Sequence, residues 1–165
     1  MQNFNTSDEI LFDIHGAIQR HGYFVQYVVT ERPDPPWAYT IGFLDHDHPE
    51  VIVLGLSPES SGSILRIIHD RVAAGDRLPV GREHGHDANG LPFALIHVDE
   101  RIVDESDYLL GCHHYYGKRN GDVLEVRAVQ LVWADASGHL PWEDGFDASL
   151  LRFQPLLDEP VEQFD

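Results

Sequence analysis

The chain has 165 residues, 42% of them hydrophobic, which is enough for one domain with one sizeable core and cramped for two. Its 28 acidic residues against 11 basic ones give a formal charge of −17, a surface that repels phosphate backbones and anionic membranes while remaining compatible with a cation or a basic protein partner. The single cysteine, Cys112, excludes an intramolecular disulfide and any zinc site built from several thiolates.

The first residues, MQNFNTSDEILFDIHG, lack a basic stretch followed by a long apolar run, and no segment approaches the roughly 18 apolar residues of a spanning helix. The expectation is a soluble, cytoplasmic, single-domain protein over 1–165, with an acidic tail from 158 that frays. Thr6-Ser7-Asp8-Glu9 fits a capping box, and Ile10, Leu11, Ile14 and Ile18 follow at helical spacing, so a first helix is predicted to end at Gly22. YFVQYVVT, residues 23–30, is rich in β-branched and aromatic residues and reads as a strand. Pro33, Pro35 and Pro36 then forbid regular structure.

WAYTIGF (37–43) and VIVLGL (51–56) read as two strands, the second without polar alternation and therefore buried on both faces. Seven residues separate them, a length that suits a hairpin loop rather than a crossover helix. Ser57-Pro58-Glu59 supplies a cap, a first-turn proline and a first-turn acid for a second helix, with Ile64, Leu65, Ile68 and Val72 as its apolar stripe and Gly75 as its end. Residues 76–90, DRLPVGREHGHDANG, form a long loop. LPFALIHV (91–98) is a strand, Ser106 opens a third helix that Gly117 stops, and EVRAVQLVW (125–133) is a last strand before the ADASG turn. Strands joined by short loops with helices inserted singly predict an α+β fold: a mostly antiparallel sheet, curled toward a partial barrel, with about three flanking helices.

Eleven histidines include the pairs His46/His48, His84/His86 and His113/His114. In an extended segment His-x-His places both imidazoles on one side, so two such pairs with Asp47 or Asp87 could enclose a divalent ion. No known metal spacing is matched, and no metal site is assigned. Cys112 beside His113 and His114 does not make a nucleophile pair, because neighbours on a helix point apart, so a buried inert thiol is expected. No Gly-x-Ser-x-Gly elbow is present. Trp37, Tyr39, Tyr115, Tyr116, Trp133 and Trp142 fall near strand ends or loops, where amphipathic rings often line pockets, although filling the core is the commoner role for any one ring and is least apt for Trp142 in its loop.

In chain order, AYTIG at 38–42, HPEVIVLGL at 48–56, Tyr116-Gly117, QLVWAD at 130–135, GHLPWE at 138–143 and QPLL at 154–157 resemble the bacterial domain-of-unknown-function family 4262. The resemblance spans roughly 10–157. It implies shared site residues without naming a reaction or a cofactor: His48, Pro49, Glu50, Tyr39, Thr40, Gly42, Tyr116, Gly117, Gln130, Trp133, Asp135, Trp142 and Glu143 fall in its motifs, whereas His46, His84, His86 and His113 do not.

These residues support a small-molecule pocket lined by the AYTIG strand, the HPE turn and the WAD/PWE segment. Tyr39, Thr40, Gly42, Tyr116, Gln130, Trp133, Trp142 and Glu143 would then contact the ligand. In an enzyme, His48 would serve as acid/base with Glu50 or Asp135 as its orienting carboxylate. Two other readings stay open. One is a noncatalytic acidic interaction or immunity-type protein that covers a basic surface. The other is a flavin-binding protein, because a Thr/Gly strand, a proline-led apolar strand and a helix loosely resemble the opening of flavin-reductase-type split barrels. Against flavin stand the acidity and the lack of an evident phosphate-binding basic cluster, although Arg66, Arg71, Arg82 or Lys118 could act locally.

Overall fold

The computed structural model describes residues 7–31, 34–84, 93–120 and 125–159, and gives the backbone alone for 7–11 and 118–120. Among these residues four α-helices, α1 (Ser7–His21), α2 (Pro58–Ala73), α3 (Glu100–Glu105) and α4 (Leu110–Asn120), surround five strands, β1 (Phe24–Val28), β2 (Trp37–Ile41), β3 (Glu50–Leu54), β4 (Phe93–His97) and β5 (Ala128–Trp133). The sheet is open, in the order β1-β2-β3-β5-β4, and every neighbouring pair is antiparallel except β3 with β5. The fold is α+β. Thr6, the proposed capping residue of the first helix, and His86 and Asp87 of the long loop lie outside the described residues.

Alternation along the strands assigns each side chain to one of two layers. Ile52 and Leu54 join Tyr39, Ile41, Ile14, Leu109, Cys112 and Tyr116 beneath α1, α3 and α4. Val51 and Val53 point the other way, into a core with Phe43, Leu65, Ile68, Leu95, Val129 and Leu131 beneath α2. The unbroken apolar run of β3 is thus explained: helices cover the central strand on both faces, and all five of its residues are buried. Ser57 caps α2 as expected, accepting from the Ser60 N–H at 3.1 Å.

The third helix differs from its prediction. Ser106 closes α3 instead of opening a helix, with its N–H and its hydroxyl both donating to the Ile102 carbonyl. α3 itself is capped by Asp99, whose carboxylate accepts from the Arg101 N–H at 2.9 Å. α4 then runs through Gly117, which lacks the left-handed conformation that lets a glycine end a helix, so nothing there forces a stop.

After β5 the chain returns along the sheet as an irregular segment held by amide side chains. Gln154 brackets the Trp133 backbone, accepting from its N–H at 2.8 Å and donating to its carbonyl at 3.1 Å. Gln130 donates to the Pro155 carbonyl at 2.9 Å and accepts from the Leu157 N–H at 2.8 Å. Both glutamines are buried: Gln154 satisfies the Trp133 backbone, and Gln130 satisfies that of the tail. Asp158, where fraying was expected to begin, receives two hydrogen bonds from Arg82 at 2.6 and 2.7 Å, and 160–165 lie outside the described residues.

Gly55 permits this return. It has φ +82, and a Cβ there would lie inside van der Waals contact of the Phe153 carbonyl oxygen, whereas Gly75 at φ +93 faces open space. Gly75→Ala should therefore cost only the left-handed backbone penalty, about 1 kcal/mol. Gly55→Ala should cost more than about 2 kcal/mol, because the tail must also move. Chemical denaturation of both variants checks this, and equal losses would contradict the proposed contact.

Candidate functional site

The HPE and AYTIG motifs meet at Glu50, whose carboxylate is completely buried at the start of β3. Five donors converge on it. Oε1 accepts from the Thr40 hydroxyl at 2.8 Å and the Phe43 N–H at 3.0 Å, and Oε2 from the Gly42 N–H at 3.1 Å, the Leu44 N–H at 3.4 Å and the Tyr116 hydroxyl. The three N–H groups open the 3-10 turn Phe43–His46, so Glu50 caps that turn from across the hairpin. Gly42, at φ 119, aims consecutive N–H groups inward. The Tyr116 hydroxyl in turn accepts from the Gly42 N–H at 2.8 Å, and the Thr40 hydroxyl from the Val51 N–H at 2.9 Å. Cys112, fully buried, donates to the Thr40 carbonyl at 3.3 Å.

Burial pushes the Glu50 carboxyl up to about 7 even though the hydrogen bonds from Tyr116, Thr40, Phe43 and Gly42 oppose the shift. Burial raises the Tyr116 hydroxyl, reinforced by the Glu50 charge, and drives the Cys112 thiol up for the same two reasons.

His48 does not share this cluster. Its Nδ1 lies 2.7 Å from the Pro49 carbonyl and its ring meets Phe43 edge-on at 5.6 Å. Half-burial lowers its pKa below 6.5. Among the described residues no carboxylate pairs with it. Asp135 lies at the other end of the sheet: β3 and β5 run parallel with Glu50 opposite Ala128, so seven residues of extended chain, about 20 Å, separate Asp135 from Glu50. There Asp135 accepts from the backbone N–H groups of Ser137, His139 and Asp147 at 2.9–3.0 Å, bonds that hold its pKa low.

The expected ligand-contacting residues are similarly occupied. Tyr39 is buried, and its hydroxyl accepts from the Gly111 N–H at 2.8 Å. Trp133 donates its indole N–H to the Leu54 carbonyl at 2.7 Å. Trp142, half-buried, carries the Arg82 guanidinium 5.4 Å above its ring, and Glu143 accepts from the Leu140 N–H at 2.6 Å within its own loop. The structure thus gathers Thr40, Gly42, Glu50 and Tyr116 in one interior cluster. Gln130, Trp133, Asp135, Trp142 and Glu143 are placed in separate ties toward the far end of β5.

Beside the Phe43–His46 turn, a cleft of about 710 Å³ opens at the β1 edge, between the last turn of α1 and the middle of α2. Arg20, His21, Arg66 and His69 line it, with Asp70 as its acid. Tyr23 stacks on His69 with ring centroids 4.3 Å apart, and Phe43 and His46 reach His69 at 6.0 and 6.3 Å. Arg66 approaches Asp70 only to 3.9 Å, and Arg20 has no carboxylate partner among the described residues. The Tyr23 hydroxyl feels these charges: burial and Asp70 raise its pKa while Arg66 lowers it. Sequence reasoning marked Arg66 but missed Arg20, Tyr23 and His69, since 46 residues separate the two arginines and only the packed helices bring them together. Pro49 faces a different, acid-bearing cleft of about 270 Å³ with His97, Glu100, Asp104 and Glu125. Among the described residues no three His, Cys, Asp or Glu side chains are gathered to hold a metal ion.

A carboxyl whose folded pKa is raised stabilises the fold while protonated and withdraws that stability as pH climbs from its unfolded value of 4.5 toward about 7. At about 1.4 kcal/mol per unit, the withdrawal through Glu50 is at most ~3.5 kcal/mol. Glu50→Gln should be destabilised at every pH, since an amide N–H₂ faces donors. Its deficit relative to the parent should shrink as pH rises through that window. Urea titrations at pH 5 and pH 8 measure the two gaps, and a deficit that grows would overturn the assignment.

No curated protein and no solved structure matches the chain. A family model does, that of the domain of unknown function DUF4262, over residues 17–147. The matched segment contains the Glu50 cluster and every residue of the Arg20–Arg66 cleft. The chain belongs to the DUF4262 family.

Proposed function

We propose that the protein is a binding domain for a small anionic molecule with a planar ring, seated in the cleft between α1 and α2 beside the HPE turn. One observation carries the reading: in a chain of charge −17, two arginines and two histidines face one cleft with a single carboxylate among them. Its size suits a small metabolite, and pockets of this kind combine ring surfaces with a few converging polar groups. Tyr23, stacked on His69, offers the ring surface. Arg20 and Arg66 offer planar, multidentate donors for a carboxylate or phosphate.

On this reading the family motif acts from behind the site. Glu50, Thr40, Gly42 and Tyr116 fix the Phe43–His46 turn, and that turn holds Phe43 and His46 against His69. The motif residues are positioning groups, and the ligand meets the arginines and Tyr23.

Phenyl phosphate, benzoate and uncharged phenol probe the cleft by calorimetry or by NMR shifts of Tyr23. The two anions should bind and phenol should not. Arg20→Ala and Arg66→Ala, both on helix surfaces, should each weaken anion binding about tenfold, or about 1.4 kcal/mol. Equal binding of phenol, or anion binding indifferent to both arginines, would reject the proposal.

A further inference from the structure

At the end of the sheet away from Glu50 a second cleft, of about 440 Å³, lies between the start of β2, the α3–α4 turn and the segment after β5. Trp37 and Tyr108 form its aromatic corner, their rings edge-to-face at 5.0 Å and 70°. The Trp37 indole N–H donates to the Tyr108 carbonyl at 3.0 Å, so the one polar group of that side chain is already used and its π surface is what remains for a ligand. Two exposed carboxylates, Asp34 and Asp107, stand at the same cleft, and neither has a cationic partner among the described residues. Asp34 is close enough to raise the Tyr108 hydroxyl pKa, a shift led by burial. The cleft does contain one cation, Arg152, but its guanidinium sits 4.6 Å above the Phe153 ring.

We propose that this cleft binds a small organic cation, an alkylated ammonium compound, held over the faces of Trp37 and Tyr108 and neutralised by Asp34 and Asp107. Ring quadrupoles attract a cation within about 6 Å of the ring centre, and a weakly hydrated ammonium gives up little solvation to enter such a corner. The long-range field favours the same sign, because a protein of charge −17 concentrates cations near its clefts. Neither argument applies to an anion, for which Arg152 would have to leave Phe153 and outweigh two carboxylates. This site is independent of the Arg20–Arg66 cleft: it shares no residue with it and takes the opposite charge.

Choline and its uncharged isostere 3,3-dimethylbutan-1-ol separate charge from shape. With the full chain, choline should shift the Trp37 indole resonances saturably and bind at least tenfold tighter than the alcohol. Asp34→Asn with Asp107→Asn, a double change of exposed side chains, should weaken choline about tenfold with no loss of thermal stability. Trp37→Leu should abolish binding. Tyr108→Phe, which keeps the ring, should retain it. Equal affinity for the alcohol would make the cleft a purely apolar site. Displacement of choline by acetate would mark an anion site at Arg152. Either result, an unchanged affinity in the double variant, or no saturable shift with choline overturns the proposal.

Discussion

A carboxylate buried without a cation beside it is the constraint around which this fold is arranged. Glu50 has no arginine or lysine partner among the described residues, and an isolated charge in such surroundings would be prohibitive. It is tolerated because five neutral donors reach it from β2, the Phe43–His46 turn and α4. Each of those elements is held in turn by what it gives. The turn gains acceptors for N–H groups that a short 3-10 segment cannot satisfy internally. Helix α4 is tied to the sheet through a tyrosine that both accepts from Gly42 and donates to Glu50. A helix, a hairpin and a turn from distant parts of the sequence therefore share one interior carboxyl group.

The same logic accounts for polar side chains elsewhere in the chain. Gln130 and Gln154 replace strand-to-strand hydrogen bonds along the tail, Trp133 ties β5 to β3 through the Leu54 carbonyl, and Asp135 gathers three N–H groups of its own loop. Polar residues in a motif invite a catalytic interpretation because chemistry needs polar groups. Buried backbone needs them too, and these side chains are spent on it. The proposed ligand contacts fall instead on helix surfaces and a strand edge that the motifs do not include.

Much of the architecture was legible from local signals. The Ser57-Pro58-Glu59 start, the apolar run of β3 and the β2–β3 hairpin each depend on neighbouring residues alone, and all are present. β2 stops at Ile41, however, and the loop, 42–49, is one residue longer than predicted and holds a 3-10 turn. α3 was not legible, because six residues capped by an aspartate carry too little periodicity to stand out. Gly117 misled for a related reason: a glycine marks a helix end only if the chain turns left-handed there, and tertiary packing decides that. At the site, the motif pointed to Glu50 and Tyr116 but not to their partnership, since 66 residues lie between them. A carboxylate in an acidic sequence also gives no sign of being the one that is buried. The Arg20–Arg66 cleft was hidden for the same reason, as it exists only where two helices converge on an edge strand.

Charge then organises the surface as burial organises the interior. Arg71 and Arg82 are hydrogen-bonded to aspartates and Arg101 and Arg127 lie 3.6 and 3.8 Å from one, whereas Arg66, 3.9 Å from Asp70, and Arg20 face a common cleft. The field of a −17 chain acts on the two proposed ligands in opposite senses, because it draws a cation toward Trp37 and opposes an anion on its way to Arg20. That field decays over about 8 Å at physiological ionic strength, while contacts inside a cleft are screened far less. Added salt therefore removes a repulsion for one ligand and an attraction for the other. On the proposed reading the anion would meet the exposed guanidinium groups of Arg20 and Arg66, so salt weakens that contact as well as the long-range repulsion. Cation binding at the aromatic corner loses its long-range assistance and keeps only the ring faces and the two nearby carboxylates.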